Sequence, residues 1–281
     1  MWKLSGFADE ASRDLDEQIA LLNKLGIKHI EFRSAWGIKV LDLTQEQLEE
    51  AKAKLDAAGI KLSSVGSDIG KIFINEPFED HLKRAAHAVE VAKFFGCDYI
   101  RMFSFFIPEG EDPAQYRGEV MDRSRAFVRL AEAGGVTMLH ENEKDIYGDI
   151  PERVVDLITE MDSPHYRGIF DPANYVQCGA KPVDEAYPLV KDSTHYLHVK
   201  DASATELDAN GHSKVVPAGH GDGQFPELIA ALKADGYEGF LSIEPHLGDF
   251  NAFGGLCGPD LWTDAYNAIT KILSDQDIAW Q

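Results

Sequence analysis

The feature that most constrains this chain is a repeated grammar. A short apolar run, often β-branched, passes through a loop into an amphipathic helical stretch, and in most repeats a glycine ends that stretch. Residues 4–8 close on Asp9-Glu10; a helical pattern starting at Ser12 then sets Leu15, Ile19, Leu22 and Leu25 on one face before Gly26. Residues 27–33 form the second run, and Thr44 caps a helix carrying Leu48, Ala51, Leu55 and Ala58 that stops at Gly59. The third run, 60–65, is followed by a long loop over 66–77 and a helix with Leu82, Ala85, Ala86, Val89, Ala92 and Phe95 before Gly96.

The second half repeats the pattern. Run four is 97–103, followed by a loop over 105–113 and a helix from about 113 to 133. Gly134-Gly135 releases it into run five, 136–141, and Pro151 opens the fifth helix at a favoured first-turn position. Run six ends at Asp171, and Asp171-Pro172-Ala173-Asn174 is expected to turn. A weaker helix spans 183–190, run seven 196–201, a polar glycine-rich connection 201–222, a helix 225–234, run eight 240–244 and a last helix 260–273.

Eight strands alternating with eight helices, without a composition break, predict one (β/α)8 TIM barrel over residues 1–281, a length normal for that fold. The alternative, an open doubly wound sheet, expects a glycine-rich phosphate turn after strand one, and Gly6-Phe7-Ala8-Asp9-Glu10 is not one.

Four runs end in groups that suit a metal. Glu141 closes run five, Asp171 run six and Glu244 run eight, and His198 lies in run seven. A lone carboxylate at a strand end is more often a helix cap or a surface charge. Four such groups on four late strands are what a parallel barrel brings to one point above its C-terminal face. An oxygen-rich set with one imidazole predicts one divalent metal ion, Mn²⁺, Mg²⁺, Co²⁺ or Zn²⁺.

Charge and cysteines bound the function further. The net charge of −21, from 48 acidic and 27 basic residues, argues against nucleic acid as partner, because phosphate backbones are held by Lys and Arg. Cys97, Cys178 and Cys257 are odd in number and form no C-x-x-C, which fits a reducing cytoplasm. With no apolar stretch of membrane-spanning length and no signal-like N-terminus, a soluble, unprocessed protein is expected, with room for a homo-oligomer.

The motifs L-H-E-N-E (Glu141), F-D-P-A-N (Asp171), L-H-V-K-D (His198) and S-I-E-P-H (Glu244), with the opening G-F-A-D-E and the phrase H-I-E-F-R, resemble the xylose-isomerase-like barrel superfamily. In particular the chain is similar to its sugar (phosphate) isomerase/epimerase group, which also holds tagatose epimerases, hydroxypyruvate isomerases, inosose dehydratases and endonuclease IV. The resemblance covers essentially the whole chain and implies that the four residues are metal ligands. Where that family often carries a histidine three residues after the strand-six aspartate, this chain has Asn174, a poor ligand, so a second metal is not expected. Counterparts of the strand-three and strand-four histidines of endonuclease IV are missing, which argues against DNA repair.

The expected chemistry is isomerisation or epimerisation of a small keto-sugar or sugar derivative through an enediolate. The metal polarises the carbonyl while Glu141 and Glu244 take and return a proton. A lyase or dehydratase reaction by β-elimination is the alternative, kept open by H-V-K-D, which is similar to the corresponding phrase of inosose dehydratases. Lys200 shares strand parity with His198 and is a candidate to face the substrate, beside the plain reading of a solvated lysine. Glu31, a charge inside an apolar strand, is a candidate to orient substrate or a ligand, unless it merely pairs with Arg33. Asn174 and His246 complete the candidate substrate-binding set, His220 lies in another site-side loop, and His140, on the parity opposite to Glu141, reads as structural or as a partner behind one of the ligands. Phe7, Phe105 and Phe106 are candidate pocket walls. Without an arginine cluster in the late loops, the substrate is expected to be unphosphorylated.

Overall fold

The computed structural model describes residues 1–208, 211–248 and 255–281. Its centre is a sheet of eight parallel strands: β1 Lys3–Gly6, β2 His29–Phe32, β3 Lys61–Ile69, β4 Tyr99–Met102, β5 Thr137–Glu141, β6 Tyr166–Phe170, β7 Thr194–Val199 and β8 Phe240–Ile243. Each strand from β2 to β8 hydrogen-bonds to its sequence neighbour, β8 pairs in turn with β1, and β1 lies beside β2 to bring the ring nearly to closure. This is the expected TIM barrel.

Helices α1 Leu15–Leu25, α2 Gln45–Ala58, α3 Glu79–Phe95, α4 Arg117–Gly134 and α5 Pro151–Met161 fill the connections of the first half. They are followed by α6 Pro172–Gln177, α7 Tyr187–Val190, α8 Phe225–Ala234 and α9 Gly258–Asp275. Thr44 caps α2 as expected, in a capping box with Gln47, and Gly26 and Gly59 end α1 and α2 in the left-handed conformation, whereas α1 begins at Leu15 rather than Ser12, capped by Asp14, which accepts from the amides of Asp16 and Glu17. None of the helices described is long and apolar enough to cross a membrane.

Three further expectations are corrected. Strand β3 runs on to Ile69, past the expected end at Val65, because the backbone of residues 67–70 stays paired with strand four: Phe103 N–H donates to Ile69 O at 2.7 Å and Phe105 N–H to Gly70 O at 3.1 Å. That approach requires glycine: at Gly70, with φ +89°, a Cβ would lie 2.0 Å from Phe103 O. The segment expected to turn after Asp171 is the helix α6, since Asp171 accepts from Asn174 N–H at 2.9 Å and Pro172 suits the first turn. Within the glycine-rich connection, Asp201–Leu207 pairs antiparallel with Ser213–Val216.

Alternation along the strands decides what reaches the barrel interior. Leu139, Ile169 and Tyr196 form an apolar layer low in the barrel, with Tyr99 and Phe240 packed against it. Two residues further along the same strands come Glu141, Asp171, His198, Arg101 and Ser242. The outward residues Met138, Phe170, Leu197 and Leu241 join the large core cluster outside the barrel.

Candidate metal centre

At the C-terminal ends of β5 to β8, Glu141, Asp171, His198 and Glu244 are all buried, and each offers one ligand atom within 4.8 Å of the others. His198 Nδ1 is their focus: Glu141 Oε1 lies at 3.3 Å, Glu244 Oε2 at 3.4 Å and Asp171 Oδ2 at 3.5 Å. Although three carboxylate oxygens surround it, this nitrogen makes no well-aligned hydrogen bond. A buried imidazole nitrogen without a hydrogen-bond partner, facing three carboxylates, is the donor set of a small divalent cation, and the residues fit one.

Cations on the pocket side hold the same carboxylates. Lys200 Nζ lies 2.9 Å from Asp171 Oδ2 and 3.1 Å from Glu244 Oε2, and Arg101 Nη1 lies 3.1 Å from Glu141 Oε2. Burial pushes the Glu141 carboxyl upward, yet His198 and Arg101 outweigh it and hold the group at about 2. Burial likewise opposes ionisation of Glu244, and the charges of Lys200, His246, His198 and Arg101 draw it well below the usual range. For Asp171 burial wins over Lys200 and His198, and its pKa is raised. Both glutamates are therefore held ionised, the form in which a carboxylate binds a cation.

The remaining candidates fall into place around this set. Asn174 Nδ2–H donates to Glu141 Oε1 at 3.2 Å and to Asn142 O at 2.7 Å, so it braces the Glu141 carboxylate from the first turn of α6. Glu31 sits deeper, with Oε2 3.2 Å from His198 Nε2 and 2.6 Å from Ser242 Oγ. Its expected alternative partner, Arg33, turns instead to Asp9, with two bonds of 2.9 and 3.0 Å, and to Glu10 at 3.1 Å. His246 Nδ1 lies 3.0 Å from Glu10 Oε1. Glu10, Glu244 and His246 also converge, but Arg33 already stands 3.1 Å from Glu10 and 3.7 Å from Glu244, supplying the positive charge there.

His140 points outward, bonded to Ser104 Oγ at 2.9 Å, and burial lowers its pKa to about 3. His220 is exposed. Phe7 walls the site, its ring 5.4 Å from that of His198 and under the guanidinium groups of Arg33 and Arg101 at 4.4 and 4.8 Å. Phe105 instead packs in the core against Phe78 and Phe127, and Phe106 stands beside Phe73.

Sequence reasoning missed Arg101 and Asn142. Asn142 clamps Asp171 reciprocally, donating to its carbonyl at 2.9 Å and accepting from its amide at 2.8 Å. Above the set opens a cavity of ≈ 240 Å³ whose wall includes Glu244, Lys200, Arg101, Arg33, Lys71 and His246. A second recess shares Lys200 and His246 and is bounded by Asn174, Gln177 and His212 of the hairpin.

The model of the xylose isomerase-like TIM barrel family matches residues 19–264. This chain belongs to that family. Over 221 residues it is 23% identical to a 3-dehydroshikimate dehydratase of Bacillus anthracis, covering 74% of this chain and 78% of that one. Among solved structures it is similar to a xylose isomerase-like TIM barrel protein of Mycobacterium smegmatis in complex with magnesium, with TM-score 0.72 and 22% identity over 97% of this chain and 98% of that one. It is also similar to a D-tagatose 3-epimerase-like protein, with TM-score 0.75 and 16% identity over 99% of this chain and 100% of the other. The proteins it is similar to thus include a dehydratase and an epimerase-like protein.

Proposed function

We propose that this barrel is a divalent-metal-dependent enzyme that moves a proton on the carbon beside the carbonyl of a small keto-sugar or sugar derivative, acting as an isomerase or epimerase through an enediolate. The observation that carries this reading is the pair Glu141 and Glu244. Both are buried and ionised, both have an oxygen within 3.4 Å of His198 Nδ1, and each is also held by a cation that lines the cavity. A divalent ion held by Glu141, Asp171, His198 and Glu244, of the Mn²⁺, Mg²⁺, Co²⁺ or Zn²⁺ class, supplies Lewis acidity toward a substrate carbonyl.

The protein's own residues do the rest. One glutamate accepts the proton and the other returns one, each step contributing about 10²- to 10⁴-fold. Arg101 and Lys200 present N–H donors to the oxygen on which negative charge gathers. Burial excludes water that would quench the carbanion. The free thiols Cys97, Cys178 and Cys257 support a cytoplasmic location.

A dehydratase reading has its own support in the similarity to the 3-dehydroshikimate dehydratase and in Lys200, an ammonium on the cavity wall 2.9 Å from Asp171 Oδ2 that would serve as the donor to a departing hydroxyl. Both readings are tested by stripping the protein with a chelator, restoring Mn²⁺ or Mg²⁺, and following a keto-sugar panel by NMR and ultraviolet absorption. An epimer or isomer supports the first and an absorbing enone the second. No metal-dependent conversion of any keto-sugar would remove both.

A further inference from the structure

We propose that Glu31 is the positioning residue of the metal centre: it holds the Nε2–H of His198, so that a divalent ion is taken through Nδ1. This rests on the metal reading above and adds to it which imidazole nitrogen binds and what fixes that choice.

Glu31 lies on β2, facing the barrel interior, and does not line the cavity above the ligand set. It is 1% exposed, and a carboxylate buried that deeply persists only where donors meet it. The donors are His198 Nε2 at 3.2 Å and Ser242 Oγ–H at 2.6 Å, both to Oε2. Ser242 is the register partner of His198 across the β7–β8 ladder, so the hydroxyl that fixes Glu31 is tied to the strand that carries the imidazole. The ring is also fenced, edge to face, by Phe7 at 5.4 Å and 74° and by Tyr196 at 5.9 Å and 82°. Turning the ring over would cost the Glu31 bond, and Nδ1 is the nitrogen left facing Glu141, Asp171 and Glu244. A partner on the far nitrogen of a ligating histidine fixes tautomer and orientation, and its loss typically costs about 10- to 100-fold in metal affinity.

The experiment uses the full chain, ¹⁵N-labelled and loaded with ¹¹³Cd²⁺ as an NMR-active ion, with the His198 ring signals assigned by their disappearance in His198→Gln. Coupling of ¹¹³Cd to Nδ1, with the proton retained on Nε2, is expected; coupling to Nε2 would overturn the proposal without touching the metal reading. If the wild-type protein bound neither Cd²⁺ nor Zn²⁺, the metal reading itself would fall. Glu31→Leu is expected to weaken Zn²⁺ binding by about 10- to 100-fold with the circular dichroism of the metal-free protein unchanged, and Glu31→Gln, which keeps an acceptor oxygen, to recover most of the loss. Affinity in Glu31→Leu within about twofold of wild type contradicts the proposal. Should Glu31→Leu fail to fold, the wild-type coupling pattern still decides.

Discussion

Lys200 Nζ stands 2.9 Å from Asp171 Oδ2, so a buried ammonium at the end of β7 neutralises part of the carboxylate set that a divalent ion would also bind. Lys200→Met removes one partner of a buried pair, which costs about 3 kcal/mol when the remaining charge stays uncompensated. The metal-free variant should therefore melt several degrees below the wild type, and excess Mn²⁺ should recover much of the difference, since an ion bound only to the folded state stabilises it. Thermal unfolding with chelator and with Mn²⁺ checks this. An equal deficit under both conditions would separate Lys200 from the ligand set.

Asp171→Ala and His198→Ala should each lose most of the bound metal, because each deletes a donor from a site of four. Elemental analysis of the purified variants reads the result, and full metal content in both would overturn the ligand assignment.

Arg101→Gln leaves the Glu141 oxygen at 3.1 Å without its guanidinium and takes a donor from the cavity wall. Turnover should fall by about 10²-fold. Arg101→Lys, with the charge but not the planar fork, should fall between the two. Unchanged kcat in Arg101→Gln would exclude the residue from the reaction.

His29, at the N-terminal end of β2, has its pKa lowered to about 4, chiefly by burial and further by Lys3 and Lys61. The unfolded chain therefore binds a proton more readily than the native one between pH 6.5 and about 4, and native stability is lost as pH falls through that window. The slope from this one ring is at most about 1.4 kcal/mol per pH unit and smaller after allowance for its partial exposure. Urea midpoints measured from pH 7 to pH 4 should fall less steeply in His29→Gln than in the wild type; parallel slopes would contradict the assignment.

The barrel was legible because each repeat carried its own strand period, helix face and stop, as in the run from Thr44 to Gly59. The four residues of the candidate metal centre were legible only jointly: each alone reads as a cap or a surface charge, but four such groups on four late strands of a parallel barrel converge on one point. Arg101 carries the same signal as Glu31, a charge between apolar neighbours on an inward parity, but a guanidinium is no metal ligand, so a pattern of ligand-type residues does not include it. The role of Asn142 was not legible, since an asparagine after a strand reads as a loop residue until Asp171 is seen to share both its bonds. The hairpin beginning at Asp201 was hidden for a similar reason. It is pinned by that buried carboxylate, which accepts from the amides of Gly219, Gly221 and Gly223 at 2.8, 3.0 and 2.8 Å, and sequence shows those glycines only as turn formers.

The central claim, metal-dependent proton transfer beside a carbonyl by Glu141 and Glu244, is tested most directly by deuterium exchange. Metal-loaded wild type, Glu141→Gln and Glu244→Gln are incubated with a keto-sugar panel in deuterated water and followed by NMR. The wild type should incorporate deuterium at the carbon beside the carbonyl of its substrate, and turnover should fall by several powers of ten in both variants, with one of them able to retain exchange without forming epimer. Near-normal exchange and turnover in both variants would contradict the claim.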